Sequence, residues 1–227
     1  MLFRSDGKPL VISGLSGSGK STLFKHAGEE LILRNTSDHA KKRIPVYITA
    51  MEIQNYNHEI NELLKSKLAI RFGDGDTKKV DLQSISQNYN IHLFVDSIDE
   101  FEEDKQTYII KQLRNDFNNK GIKFYIGTRE SGDRFLELME IKNSQSYDIN
   151  RFNSDQIRRF ISTFFSGDEF KTDNLLNALR ENKIIEKLPI TPLTLSLISI
   201  LYEETDFEIP ATIADIYDNF NSLIIGK

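Results

Sequence analysis

Three carboxylates follow one apolar run in the stretch LFVDSIDEF, residues 93–101. They belong to Asp96, Asp99 and Glu100. Carboxylates this close repel one another, so placing them at the end of a buried strand is unfavourable unless a cation gathers there. Such a cluster can hold a divalent metal ion and can orient or activate an attacking water. The alternative is a solvated acidic turn that begins a helix, where acids favour the N-terminal dipole.

A glycine-rich loop, GLSGSGKST at residues 14–22, could bring the missing cation to these acids. It fits the pattern G-x-x-x-x-G-K-[ST], in which glycines let backbone N–H groups wrap around phosphate oxygens. Lys20 is expected to reach the β- and γ-phosphates of a nucleotide, and Ser21 to ligate Mg²⁺ together with Asp96. The loop residues expected to bind nucleotide are Gly14, Ser16, Gly17, Ser18, Gly19, Lys20, Ser21 and Thr22. The alternative is a plain glycine-rich turn before a helix, and the apolar run ahead of the loop argues against it.

Alternating apolar and helical patterns predict the elements that must position these residues. Helical spacing separates the apolar runs, and the stretch 72–81 is expected to be an exposed loop. Strands that are apolar almost throughout indicate a parallel sheet covered on both faces. The predicted fold class is therefore a three-layer α/β fold with about five parallel strands, followed by a small all-α module. The predicted strands are PLVIS (9–13), IPVYITA (44–50), IHLFVD (91–96), IKFYIGT (122–128) and QSYDI (145–149).

The carboxyl ends of parallel strands meet at one rim of a sheet, so Asp96 and the loop are expected to lie together. If IKFYIGT inserts between the loop strand and the Asp96 strand, Thr128 and Arg129 end beside the γ-phosphate. A guanidinium there would sense or stabilise terminal-phosphate charge. The alternative for Arg129 is a surface arginine in a strand-to-helix loop.

The pattern changes near Asn150, after which four stretches have helical spacing and no strand is confidently predicted. We therefore expect a core domain at residues 1–150 and a helical module at residues 151–227. The four stretches are NSDQIRRFISTFF (153–165), TDNLLNALRENKIIEKL (172–188), TPLTLSLISILYEE (191–204) and TIADIYDNFNSLII (212–225).

Composition narrows the possible partners and sites. A formal charge of −5 gives no direct signal for nucleic acid or an anionic membrane as the main partner. The absence of cysteine excludes disulfides, thiolate catalysis and cysteine-based zinc sites. No stretch is long and apolar enough for a membrane span or a signal peptide, so a cytoplasmic protein is expected. His92 shares a strand face with Phe94 and is expected to pack rather than to bind metal.

Four segments in order resemble the NACHT family of STAND nucleotide-dependent switches, within the broader AAA+-like P-loop ATPases. They are GLSGSGKST, IPVYITA, LFVDSIDEF and FYIGTRES. The residues Asp96-Ser97-Ile98-Asp99-Glu100 fit the family's arrangement of hydrophobic-D-[GAS]-hydrophobic-D-E. LPITPLTLSLISILY resembles the family segment whose proline approaches the adenine, which is Pro192 here. Capping by Thr191 and a proline at the first helical position explain this proline equally well.

The resemblance implies a switch that binds ATP or ADP with Mg²⁺ and hydrolyses ATP slowly. It also implies self-association in the full-length protein, in signalling or antiviral defence. Lys20, Asp99, Glu100 and Arg129 would form the catalytic set, and either acid could activate water. The effector domain usually found upstream and the winged-helix and sensor regions downstream are missing from this sequence. We therefore expect an excised piece of a larger protein, and the alternative is an unusually minimal member of the family.

Two other classes of function stay open at this level. A P-loop small-molecule kinase would use the same loop, although no acceptor-binding lid is apparent. A scaffold could bind nucleotide without turnover, although the intact acids argue mildly against it. The preference for ATP over GTP follows from the resemblance alone.

Overall fold

The computed structural model describes residues 8–33, 41–187, 190–204 and 212–225. It divides into two compact units, one formed by Met1–Gly14 with Lys20–Ile149 and the other by Leu15–Gly19 with Asn150–Lys227. The sequence also predicts a helix from Lys20 to about Arg34. Arg34 and Leu188, the expected ends of that helix and of the helix at 172–188, lie outside the described residues.

The first unit is built on a sheet of five parallel strands in the order β2-β3-β4-β1-β5. This order confirms the predicted fold class. In this order β4 lies between the strand that precedes the glycine-rich loop and the strand that ends at Asp96, which is the condition set above for placing Arg129. The strands are β1 (Leu10–Ser13), β2 (Lys42–Thr49), β3 (Tyr89–Asp96), β4 (Lys123–Thr128) and β5 (Gln145–Asp148).

Burial along each strand follows its place in the sheet. The residues of β1 are all buried, whereas β2 at one edge alternates between buried and half-buried positions. An edge strand has one unpaired side, which is why β2 tolerates Pro45. The strands that carry the predicted site residues therefore lie in the interior of the sheet.

The described part of this unit also contains six helices, and two short ones were not predicted. Ala50 was expected to be the last residue of a strand. Instead it begins a helix, because Thr49 and Glu52 form a capping box there. A second short helix is capped by Asp81, and the predicted loop 72–81 contains a 3₁₀ turn at Thr77–Lys79. The helices are α1 (Lys20–Leu33), α2 (Ala50–Asn55), α3 (Ile60–Phe72), α4 (Leu82–Asn88), α5 (Glu103–Lys120) and α6 (Gly132–Met139).

Each face of the sheet has its own apolar core. Leu10, Ile12 and Phe94 pack against α1 on one face. Val11, Val95 and their neighbours pack against α3, α5 and α6 on the other. Alternate residues of one strand thus serve opposite cores, which produces the three layers.

Helix α1 is tied to the edge strand by Tyr47. The Tyr47 hydroxyl donates to the backbone oxygens of Phe24 at 2.8 Å and Lys25 at 3.0 Å. A Cβ on Gly28 would lie 1.6 Å from that hydroxyl oxygen. Glycine at this position therefore lets α1, which begins in the glycine-rich loop, pack directly on β2.

The second unit is helical in its described part and has a separate apolar core. The single helix expected at 172–188 is wrong, because Lys183 adopts a left-handed backbone with φ 54° and divides it. No helix in the described part of the chain is long and apolar enough to cross a membrane. The helices are α7 (Ser154–Phe164), α8 (Glu169–Glu181), α9 (Ile184–Lys187), α10 (Pro192–Glu204) and α11 (Ile213–Ile225).

Candidate functional site

The glycine-rich loop runs from the end of β1 to the first residue of α1. Gly14 N–H donates to the Thr128 oxygen at 3.2 Å, which joins the start of the loop to β4. Gly17 and Gly19 have φ values of 70° and 98°, a left-handed backbone that other residues adopt only with strain. The path of the chain therefore favours glycine at positions 17 and 19.

Two polar side chains of this loop are largely buried. The Ser18 hydroxyl has no hydrogen-bond partner in the described structure. Lys20 is only 8% exposed, and its Nζ donates to the Gly14 oxygen at 2.7 Å. Burial lowers the pKa of Lys20, the nearby Asp99 and Asp96 raise it, and Arg129 lowers it again. Lys20 therefore lies within electrostatic range of the strand-end acids.

Ser21 and Asp96 lie side by side at the rim of the sheet. The Ser21 hydroxyl donates to Asp96 Oδ2, while Asp96 Oδ1 is buried and has no hydrogen-bond partner. A buried carboxylate oxygen left without a partner is unfavourable, so this arrangement is suited to a cation. The donors fit Mg²⁺, a hard cation that prefers oxygen and commonly combines one or two protein ligands with phosphate and water.

Gly127, on the neighbouring strand β4, makes room for this carboxylate. A Cβ at Gly127 would lie 2.8 Å from Asp96 Oδ1 and 3.0 Å from the Phe24 ring. No local pattern singles out Gly127, because its role depends on which strand lies beside β3.

Asp99 and Arg129 form an ion pair across the ends of β3 and β4. The Arg129 backbone N–H donates to Asp99 Oδ1 at 2.9 Å, and its Nε donates to Asp99 Oδ2. Glu100 is the next residue, and its Oε1 lies 4.0 Å from Arg129 Nη2. The hydrogen bond to Asp99 raises the pKa of Arg129, so the guanidinium stays charged. The structure thus brings the predicted Arg129 into direct contact with the acid cluster.

Gln106 is a positioning residue that sequence reasoning missed. It is 2% exposed, and its Nε2 donates to the Phe101 oxygen at 2.7 Å and lies 3.5 Å from Glu130 Oε1. It therefore links the turn after β3 to the loop after β4. A polar residue in register with the buried Ile109 and Ile110 on one face of α5 was the available signal.

Pro192 is the first residue of α10, in the second unit. Thr194 N–H donates to the Thr191 hydroxyl at 3.2 Å, which is the expected cap. Leu193 N–H donates to the Gly17 oxygen at 3.3 Å. Pro192 is therefore both a helix-start residue and a neighbour of the loop apex, so the capping explanation and an adenine contact are both compatible with its position.

No protein-family model and no curated protein sequence match this chain. Solved structures match at low sequence identity. The Aeropyrum pernix ORC1 protein in complex with DNA has a TM-score of 0.54 and 15% identity, and the match covers 95% of this chain and 59% of that one. The Aeropyrum pernix ORC2 protein in its ADP form has a TM-score of 0.58 and 9% identity, with coverage of 94% and 62%.

A third similar structure is the HORMA:CdnC:Trip13 complex of E. coli MS115-1, with a TM-score of 0.55, 14% identity and coverage of 94% of this chain and 73% of that one. The fold of this chain is therefore similar to the fold of these three structures. The chain spans about three fifths of the length of the two ORC proteins it matches. At these identities the likeness concerns the fold alone.

Proposed function

We propose that this chain is the nucleotide-switch module of a NACHT-type STAND protein, which binds Mg-ATP and hydrolyses it slowly. The observation that supports this most is the pairing of Ser21 with Asp96, whose second carboxylate oxygen is buried and unpartnered. The buried Lys20 beside it supplies the positive charge that a polyphosphate requires. The order of the sequence motifs supports the NACHT assignment.

Each rim residue has a role in this proposal. The loop N–H groups and Lys20 bind the phosphates. Ser21 and Asp96 hold Mg²⁺, which when bound neutralises charge on the phosphate oxygens. Arg129 contacts the γ-phosphate, and Asp99 or Glu100 accepts a proton from water as its oxygen bonds to the γ-phosphorus. The bond from that phosphorus to the bridging oxygen breaks, and ADP and phosphate are released.

The switch itself is proposed to work through the second unit. Pro192 contacts the adenine, and the adjoining Leu193 is already hydrogen-bonded to the loop at Gly17. ATP and ADP then favour different conformations, because only ATP contacts Arg129. We propose that ATP promotes self-association of the full-length protein, which we expect to be cytoplasmic. One similar structure is an ORC1 protein in complex with DNA, but the net charge of −5 here favours nucleotide over DNA as the main partner.

Replacement of Lys20 tests nucleotide binding directly. Lys20→Ala should weaken Mg-ATP binding by at least about 100-fold, or about 2.7 kcal/mol, because it removes the buried cation that faces the phosphates. Isothermal titration calorimetry measures the change, with Glu140→Gln as a control that removes an ion pair with Arg114 elsewhere in the unit. Unchanged affinity in Lys20→Ala would contradict the proposal.

A phosphate-release assay with ATP alone separates hydrolysis from the other two functions. Slow release without any acceptor supports the switch. Release that requires an added acceptor indicates a kinase, and tight binding without release indicates a scaffold. Light scattering of the full-length protein with ATP or ADP then tests nucleotide-dependent assembly.

A further inference from the structure

Asp99 and Glu100 are adjacent acids that the sequence cannot tell apart. We infer that Asp99 is a positioning residue that fixes Arg129, and that Glu100 is the acid left to act on water. This inference rests on the proposed function and assigns separate tasks within the same site.

The two carboxylates differ in what surrounds them. The Asp99 side chain is 4% exposed, and both of its oxygens accept hydrogen bonds from Arg129. The Glu100 side chain is 52% exposed. A general base needs an oxygen that can approach a water molecule. Glu100 meets this requirement, whereas Asp99 is enclosed and occupied by Arg129.

The backbone explains why neighbouring residues point to different surroundings. Ser97 adopts a left-handed conformation with φ 61°, and a 3₁₀ turn follows at Ile98–Glu100. Ile98 is fully buried and anchors this turn in the core. The Glu100 N–H donates to the Ser97 oxygen at 3.1 Å, which closes the turn. The turn holds Asp99 against the end of β4 and leaves Glu100 on the outside.

Asp99 holds Arg129 at two separate points. One oxygen accepts from the backbone N–H and the other from Nε, so both the main chain and the head of the arginine are fixed. Charge-assisted bonds of this kind are geometrically specific. The Arg129 side chain is still 49% exposed, so its outer edge is accessible to an anion. The preference for ATP over ADP should therefore depend on Asp99, because Asp99 fixes the position of the Arg129 side chain.

The experiment compares Asp99→Asn with Glu100→Gln in calorimetric titrations with ADP and with a nonhydrolysable ATP analogue. Asp99→Asn should lower affinity for the analogue about tenfold and leave ADP affinity within about twofold. Glu100→Gln should leave both affinities unchanged and abolish phosphate release from ATP. The double variant Asp99→Asn with Arg129→Ala should bind the analogue no more weakly than Arg129→Ala alone, because Asp99 acts through that arginine.

A different outcome would overturn the inference. If Asp99→Asn keeps the wild-type ratio of analogue to ADP affinity and loses turnover as Glu100→Gln does, Asp99 is the base. Arg129→Lys, which keeps the charge but removes the Nε donor, must reproduce the tenfold loss, and it serves as the test should Asp99→Asn fail to fold. Failure of the wild-type protein to bind either nucleotide would instead reject the proposed function itself. Glu140→Gln, which breaks the Arg114 pair, is the control and should change neither affinity.

Discussion

The middle and the end of strand β3 each carry a polar side chain with one atom that has no partner among the described residues, yet the two differ in chemistry. In the middle, His92 Nδ1 lies 2.8 Å from the Tyr125 hydroxyl, and His92 Nε2 is the buried atom without a partner. At its end, Asp96 has one oxygen bonded to Ser21 and the other buried without a partner. Burial, with the charges of Lys123 and Arg43, lowers the pKa of His92 to about 3, so that ring is neutral near pH 7.

A buried neutral ring needs no counter-charge, whereas a carboxylate gathers cations. The His92 ring stacks on the Tyr125 ring with centroids 5.8 Å apart, so packing contacts surround it in the middle of the strand. Asp96 instead acts on Lys20, raising its pKa. The comparison teaches how to interpret a buried polar atom without a partner. Where the atom belongs to a charged group beside other charged groups, it indicates a ligand site. Where the group can remain neutral, it indicates packing.

The largest expected effect comes from removing the charge at the Asp96 end. Asp96→Asn keeps the size of the side chain but should weaken Mg-ATP binding by at least about 100-fold, because the metal loses an anionic ligand. Calorimetry with and without EDTA measures the change in ATP affinity. The control His92→Phe, in the middle of the strand, should leave the Mg-ATP affinity unchanged. An equal loss in EDTA would mean that Asp96 holds the loop rather than the metal.

A smaller effect is expected from crowding the same carboxylate. Gly127→Ala places a methyl group 2.8 Å from Asp96 Oδ1. We expect Mg-ATP affinity to fall about tenfold and the free energy of unfolding to fall by about 1–3 kcal/mol. Ile126→Val is the control, since it should lower stability by about 1 kcal/mol without changing Mg-ATP affinity. Wild-type Mg-ATP affinity in Gly127→Ala would show that Asp96 can move without consequence.

The smallest expected effect is the contribution of His92 to the pH dependence of the free energy of unfolding. The folded pKa of about 3 lies below the ordinary value of 6.5, so the unfolded chain binds the extra proton first. Stability from this group is present above pH 6.5 and should fall by about 1.4 kcal/mol per pH unit as the pH drops below that value towards 3. Urea unfolding at pH 7 and pH 5.5 measures the slope. His92→Phe should reduce it, and an unchanged slope would assign the pH dependence to other groups.

The sequence predicted the features that depend on local pattern. Apolar runs identified the strands, and the glycine-rich motif identified the loop whose Gly17 and Gly19 adopt left-handed backbones. His92 is buried, as its strand position suggested. These features could be predicted because each depends on a few adjacent residues.

The features that escaped prediction depend on neighbours distant in sequence. Gly127 matters because β4 lies beside β3, and Asp99 differs from Glu100 because Arg129 contacts only one of them closely. The short helices α2 and α4 depend on single caps at Thr49 and Asp81. The sequence shows which residue types are present, but these roles follow only from which elements meet.

The attachment of α1 to β2 through Tyr47 limits the movement of the glycine-rich loop at its Lys20 end. Helix α1 is anchored within its first three turns, near Gly28, so the Lys20 end of the loop has little freedom to slide along the sheet. The other part of the loop, Leu15–Gly19, belongs with the helical unit. The position of Lys20 therefore follows from the packing of α1 on β2 within the first unit.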